Sequence, residues 1–297
     1  MAPEARSHNC ESIARVMRVL ITGAGGQLGS DFQRLLPRAL AYDRGRLSIA
    51  DRKGVTEALR AGQPDVVINC AAYNAVDRAE VEIDAAREAN ALGPAVLARA
   101  CLEFGARLIH FSTNFVFAGD LDRPYRESDT ASPRGIYATT KRAGEIAVLE
   151  LLPDALVIRS SGLFGSRGSA IKGGSFPERI LRRARDGQPV RVVADQFLNP
   201  TYTKDLAEAT LELLESQVAG VVHLVPVDCC SFLELAQATL DLAGEKVTAE
   251  TMTTDQLGLP APRPANGCLA SERVMSLRPW REGLADLIRE LEPGAVG

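Results

Sequence analysis

Two side chains one helical turn apart, in Tyr137-Ala-Thr-Thr-Lys141, could move a proton. At i and i+4 they share one face of a helix. A phenol ordinarily ionises near pH 10, and a neighbouring ammonium favours the phenolate and lowers that value toward neutrality. The spacing alone equally fits a chance surface pair. Upstream, Ser112-Thr113 closes the apolar run Arg107-Leu-Ile-His-Phe-Ser112. Hydroxyls at the carboxyl end of such a strand stand where open α/β sheets bind ligands, although turn or helix caps would look the same.

A second candidate is the loop Gly23-Ala-Gly-Gly26-Gln27-Leu28-Gly29, which directly follows the short apolar run Arg18-Val-Leu-Ile-Thr22 and opens a helical pattern. Glycines so placed permit a tight turn, let backbone N–H groups approach a pyrophosphate, and let helix pack closely on strand. The plainer alternative is a turn that needs glycine only for positive φ. Asp43 stands where an acid would accept hydrogen bonds from a ribose 2′-hydroxyl, whereas Arg44 and Arg46 beside it could hold a 2′-phosphate. The two signals conflict, so NADH and NADPH both remain open at this point.

The elements that must carry these groups alternate. Apolar strand-like runs end near Thr22, Tyr42, Cys70, Ser112 and Arg159, and helical spacing fills 29–37, 52–61, 83–104 and 137–149 between them. That order predicts an α/β fold, a Rossmann-type doubly wound parallel sheet with right-handed crossovers. After about residue 165 the pattern loosens into glycine-rich segments (Gly165-Ser-Arg-Gly168 and Lys172-Gly-Gly-Ser175) that read as a mobile loop. A capping box at Ser231 and Glu234, a proline-rich loop over 259–264 and a terminal helix over 282–291 follow. The expected division is a polar extension over 1–16, a dinucleotide-binding domain over 17–165, and a mainly substrate-binding lobe over 166–297, with 190–225 a candidate to return to the main sheet.

Composition removes several classes. The chain has 297 residues, 46% hydrophobic and 24% charged, with a net charge of −4. An acidic balance disfavours nucleic acid as a partner. No apolar run approaches the ~20 residues that span a bilayer. The first sixteen residues mix charges and lack the apolar centre of a secretory signal, and Met17 offers an internal start. Six cysteines without a CxxC or a histidine at zinc spacing point to reduced thiols in a cytoplasmic protein. His110 and His223 read as core residues, Cys229-Cys230 as loop packing and Trp280 as the anchor of the last helix. Arg263 could grip a diphosphate through its planar fork or lie on a surface loop.

Together these residues resemble the extended short-chain dehydrogenase/reductase family, and within it the dTDP-4-dehydrorhamnose reductase branch. The resemblance rests on 18–29, Asn69-Cys-Ala-Ala-Tyr-Asn-Ala-Val-Asp-Arg-Ala-Glu80, His110-Phe-Ser-Thr-Asn-Phe-Val-Phe117 and Pro124-Tyr-Arg-Glu127. Tyr137-x-x-x-Lys141 with Gly144-Glu145, then 193–201 and Arg263-Pro-Ala-Asn266, complete it. It implies reduction of a C4 keto group on a nucleotide-linked 4-keto-6-deoxy sugar. Tyr137 would donate the proton, Lys141 would tune it and hold the nicotinamide ribose, and Thr113 would hydrogen-bond the sugar oxygen. The cofactor would lie along Gly26, Gln27, Leu28, Asp43, Ser48, Ile49, Ala71, Ala72 and Tyr73. A homodimer aided by Mg2+ is the further implication, with Asp31 where some relatives place a glutamate.

The sequence departs from the family on the sugar side. Asn114 replaces a usual aspartate and Gly162 a usual tryptophan, predicting a wider or reshaped pocket and an altered sugar specificity. Two alternatives accompany this reading: a nucleotide-sugar epimerase of the same superfamily, and a non-catalytic dinucleotide-binding regulatory subunit. Dehydration is disfavoured, because Asn114-Phe115 offers no acid where elimination would need one.

Overall fold

The computed structural model describes residues 17–166 and 173–292. The polar extension over 1–16 and the centre of the glycine-rich loop, 167–172, lie outside the described residues. Six parallel strands form the main sheet: β1 (Val19–Thr22), β2 (Leu40–Tyr42), β3 (Val66–Asn69), β4 (Arg107–Thr113), β5 (Leu156–Ser160) and β6 (Gly220–His223), in the order β6-β5-β4-β3-β1-β2. Strands β1, β3 and β5 are buried along their whole length, as a sheet covered on both faces requires. The order reverses between β1 and β3, which opens a crevice at their carboxyl ends.

Helices close both faces. On one, α1 (Gln27–Leu35) and the helix Thr203–Glu215 bury Leu28, Phe32, Leu206 and Leu211. On the other, α2 (Arg52–Gly62), α3 (Gly93–Phe104) and α4 (Gly135–Leu151) bury Leu59, Leu97 and Val148. A separate core around Phe164, Tyr202, Leu235, Trp280 and Leu284 joins the helices Phe232–Leu242 and Trp280–Leu291. Trp280 opens the last helix with its ring inside this core, and Ser231 and Glu234 form the expected capping box.

Two expectations need correction. The helical stretch over 83–104 is not one α-helix: Ile83–Arg87 and α3 are joined by a π-turn, Glu88–Leu92. Pro94 explains it, since its ring lacks an N–H and would strike the carbonyl four residues back, that of Asn90. Gly144 of α4 then packs against that carbonyl, where a Cβ would stand 2.1 Å from the oxygen. The second correction concerns the thiols. Cys229 and Cys268, 39 residues apart, form a disulfide with Cα atoms 6.0 Å apart, whereas Cys70, Cys101 and Cys230 are free. The spacing hid this pair because two loops distant in sequence bring it together.

Candidate active site

Local sterics build the glycine loop. Gly23 has φ +67°, and a Cβ there would stand 2.4 Å from the Ala71 nitrogen, so the segment after β3 crosses directly over it. A Cβ on Gly29 would stand 2.4 Å from the Gly23 carbonyl, so α1 rests on the loop itself. The Gln33 side chain fixes the loop by donating to the Ala24 carbonyl at 2.7 Å. Helix α1 begins at Gly26 with no side-chain cap and no acid in its first turn. Its free N–H groups and positive dipole end therefore face the crevice. Asp43 packs beside Gly25 at the end of β2. Arg46 lies with its guanidinium 5.3 Å over the Tyr42 ring and donates to the Ala41 carbonyl, and Arg44, exposed beside it, has Tyr73 and Glu82 as charge neighbours.

A buried amide chain supports the crevice floor. Asn69 Oδ1 accepts from Thr22 Oγ1 at 2.7 Å and from the Ala71 nitrogen at 3.1 Å. Its Nδ2 must therefore donate to His110 Nδ1, 2.9 Å away, which places the imidazole proton on Nε2. Burial, then the Lys141 charge, holds His110 well below its ordinary pKa, so it stays neutral. Asn90, from the π-turn, brackets the Tyr73 backbone, accepting from its nitrogen and donating to its carbonyl, each at 2.9 Å. Glu80 accepts from the Ile136 nitrogen at 2.8 Å and so caps α4 one residue before Tyr137.

The structure brings Gln27, Thr113, Asn114, Tyr137, Gly162 and Arg263 to one cleft of about 580 Å³. Lys141 is buried and not part of its lining, donating from Nζ to the Phe111 carbonyl at 2.6 Å. Burial lowers the lysine to about 8, against the opposing charge of Glu145. Glu145 is itself fully buried in a two-point pair with Arg159, at 2.9 and 2.8 Å. Burial raises the Tyr137 phenol, and Thr113 offsets part of that rise. The expected effect of Lys141 on the phenol is therefore not built into the resting site, because the ammonium is turned to Phe111. Of the predicted cofactor residues only Gln27 and Tyr137 line this cleft; Gly23, Gly26, Leu28, Gly29, Asp43, Arg44, Ala71, Ala72 and Tyr73 lie beyond its lining, as do Ser48 and Ile49, the latter a core side chain seated where a Gly93 Cβ would fall.

On the sugar-facing side every predicted residue has a protein partner. Asn114 Nδ2 donates to the Gly267 carbonyl at 2.9 Å. Arg263 lines the cleft, pairing with Asp77 at 2.7 Å and donating to the Ala261 carbonyl at 2.9 Å. Gly162 has φ +56°, and the place of its missing side chain is filled by Leu198, whose Cδ1 would lie 2.4 Å from a Cβ. The pocket wall is thus rebuilt rather than left open. Sequence reasoning gave no site role to Asn69, Glu80, Asn90 or Gln33. Asn69 had a visible signal as the polar end of an otherwise apolar strand, and Asn90 had the nearby Pro94.

Among the described residues no group of three or more His, Cys, Asp or Glu side chains could hold a metal ion. Asp31 instead pairs with Arg34 at 2.9 Å, so the donor set does not fit the expected Mg2+. A dinucleotide does fit: Gln27 Nε2, Asn74 Oδ1 and Asp77 Oδ1 are buried, lack a protein partner and belong to residues that line the cleft.

An open parallel sheet, a glycine loop at its switch point and a Tyr–Lys helix beside a strand-end threonine define a Rossmann-type, nicotinamide-dependent oxidoreductase of the extended short-chain type. The RmlD substrate binding domain family matches residues 17–292, and the chain belongs to that family. It is 40% identical to a dTDP-4-dehydrorhamnose reductase of Mycobacterium tuberculosis, over 91% of this chain and 92% of that one. It is 38% identical to the spore coat polysaccharide biosynthesis protein SpsK of Bacillus subtilis, over 92% and 97%. The crystal structure of dTDP-4-dehydrorhamnose reductase from Bacillus anthracis in complex with NADP superposes with a TM-score of 0.87 at 32% identity, covering 92% of this chain and 99% of that one.

Proposed function

We propose that the protein reduces the C4 keto group of a nucleotide-linked 4-keto-6-deoxy sugar, with NADPH as the reductant. The observation that carries this is the convergence, in one cleft, of unpartnered buried polar atoms with Thr113 and Tyr137, Lys141 standing one helical turn on from Tyr137. When bound, reduced nicotinamide supplies the hydride. The residues supply the rest. Tyr137 gives its proton to the developing C4 alkoxide, and the raised phenol keeps that proton in place until the oxygen becomes basic. Thr113 hydrogen-bonds the same oxygen. Lys141, held charged by Glu145, stabilises the phenolate left behind. Arg44 at the edge of β2 favours the 2′-phosphate of NADPH, in keeping with the NADP-bound relative. On this reading residues 17–165, with β6 returned to the sheet, hold the cofactor, and the segments after 166 close over the sugar. Thr113 and Tyr137 lining one cleft favour an enzyme over a regulatory subunit.

The test is loss of NADPH or NADH absorbance on mixing with dTDP-4-keto-6-deoxy-hexoses. Tyr137→Phe should lower kcat by about 10²–10⁴ with cofactor affinity unchanged. Turnover by the mutant at the wild-type rate would remove Tyr137 from the proton path, and no turnover by the wild type would refute the activity.

A further inference from the structure

Asn114 is 5% exposed and carries two hydrogen bonds of opposite sense. Its Nδ2 donates to the Gly267 carbonyl at 2.9 Å, across 153 residues. Its Oδ1 accepts from Thr113 Oγ1 at 3.2 Å. The orientation of the amide is dictated by chemistry: turned over, Oδ1 would face the Gly267 carbonyl, acceptor against acceptor. Gly267 is equally constrained, since a Cβ there would stand 2.3 Å from Asn114 Nδ2 and 2.9 Å from the Phe197 carbonyl. Glycine at 267 and an amide at 114 therefore form one unit. That unit ties the segment carrying Arg263 to the end of β4, and Ser161 Oγ reaches the same carbonyl at 3.5 Å.

The unit also gives the Thr113 proton a resting acceptor. With its oxygen accepting from the Phe115 nitrogen at 3.2 Å, the hydroxyl turns its one hydrogen between Asn114 Oδ1, 3.2 Å away, and the Tyr137 phenol. The neutral amide is a modest acceptor, so Thr113 can exchange it for a more basic oxygen in the cleft. A carboxylate at 114 would hold that proton more strongly, place negative charge near Tyr137, and repel the Gly267 carbonyl. We propose that Asn114 is a positioning residue that orients the Thr113 hydroxyl and latches the 263–268 segment through Gly267, and that it works only as a group that both donates and accepts. The catalytic part of this inference rests on the function proposed above; the latch does not.

Asn114→Asp tests it, because a carboxyl is donor and acceptor when protonated and acceptor only when ionised. Buried against a carbonyl, it would titrate above its ordinary range of about 4. Such a group stabilises the fold below its unfolded pKa and loses that contribution as pH rises through the folded one. The variant's Tm should therefore match wild type near about pH 4 and fall progressively below it toward about pH 8. Its kcat/KM should likewise approach wild type on the acid side and drop about tenfold or more on the alkaline side, with cofactor affinity unchanged. A variant that tracks wild type in Tm and kcat/KM across the range would overturn the proposal. The melting measurement needs no substrate, so it decides the latch even if the wild type reduces no 4-keto sugar, a result that would sink only the function. Should Asn114→Asp fail to fold, Gly267→Ala displaces the amide from the other side. It should raise the sugar KM about tenfold without moving cofactor affinity, and an unchanged KM would be fatal to the idea.

Discussion

The two sides of the cleft are built on opposite plans. On the cofactor side the protein leaves room: Gly23 and Gly29 allow backbones to meet where a Cβ would stand 2.4 Å from a neighbour, and Gln27 keeps its side-chain nitrogen unpartnered. On the sugar side the protein fills its own space. Leu198 occupies the place of a side chain at 162, Gly267 takes the amide of Asn114, and Asp77 takes Arg263. The first side is prepared for a ligand whose shape is constant. The second is shaped by internal contacts, so a change of sugar requires a change of several partners at once.

The comparison can be broken most severely at Gly23. Gly23→Ala forces a Cβ into the Ala71 backbone at a positive φ, and it should weaken cofactor binding about a hundredfold or unfold the crevice, as fluorescence titration of NADPH would show. Normal affinity in that variant would mean that the loop does not approach the pyrophosphate. An intermediate effect is expected at Lys141. Its ammonium, lowered to about 8 by burial, loses its charge as pH rises through that value, so kcat should decline on the alkaline side. Lys141→Arg, charged throughout, should erase that limb even at reduced activity. A limb that persists in the arginine variant belongs to another group. The smallest effect belongs to the sugar side. Gly162→Ala meets the end of the Leu198 side chain, crowds the Asn199 and Pro200 backbone at 3.3 Å and keeps φ +56°, so it should cost about 1–2 kcal/mol of stability and raise sugar KM several-fold, leaving cofactor affinity intact.

The same contrast explains what could be read from the sequence. The glycine loop, the strand-end hydroxyls and the Tyr137–Lys141 pair are local, and they could be read from their spacing together with the strand and helix patterns beside them. The partners of Asn114 and Arg263 lie 153 and 186 residues away, and the Cys229–Cys268 pair lies between two loops. No periodicity announces such contacts, since tertiary packing brings them together. The pKa pattern was hidden for the same reason: Lys141 shares a helix face with Tyr137, but burial and the Phe111 carbonyl, both products of the fold, decide where its ammonium points.

The π-turn at Glu88–Leu92 sets how this protein can tolerate change in length. Its wider loop holds one residue more than an α-helical path would need, and each helical residue turns the chain by about 100°. A deletion inside it would remove that extra residue, leave Pro94 against the carbonyl four residues back, and take Asn90 away from the Tyr73 backbone, while Ile83–Arg87 and the sheet keep their places. A deletion a few residues later, within α3, would instead swing Leu97 and Cys101 out of the core. Of two neighbouring deletions, one should yield a folded protein impaired in cofactor binding and the other no protein at all.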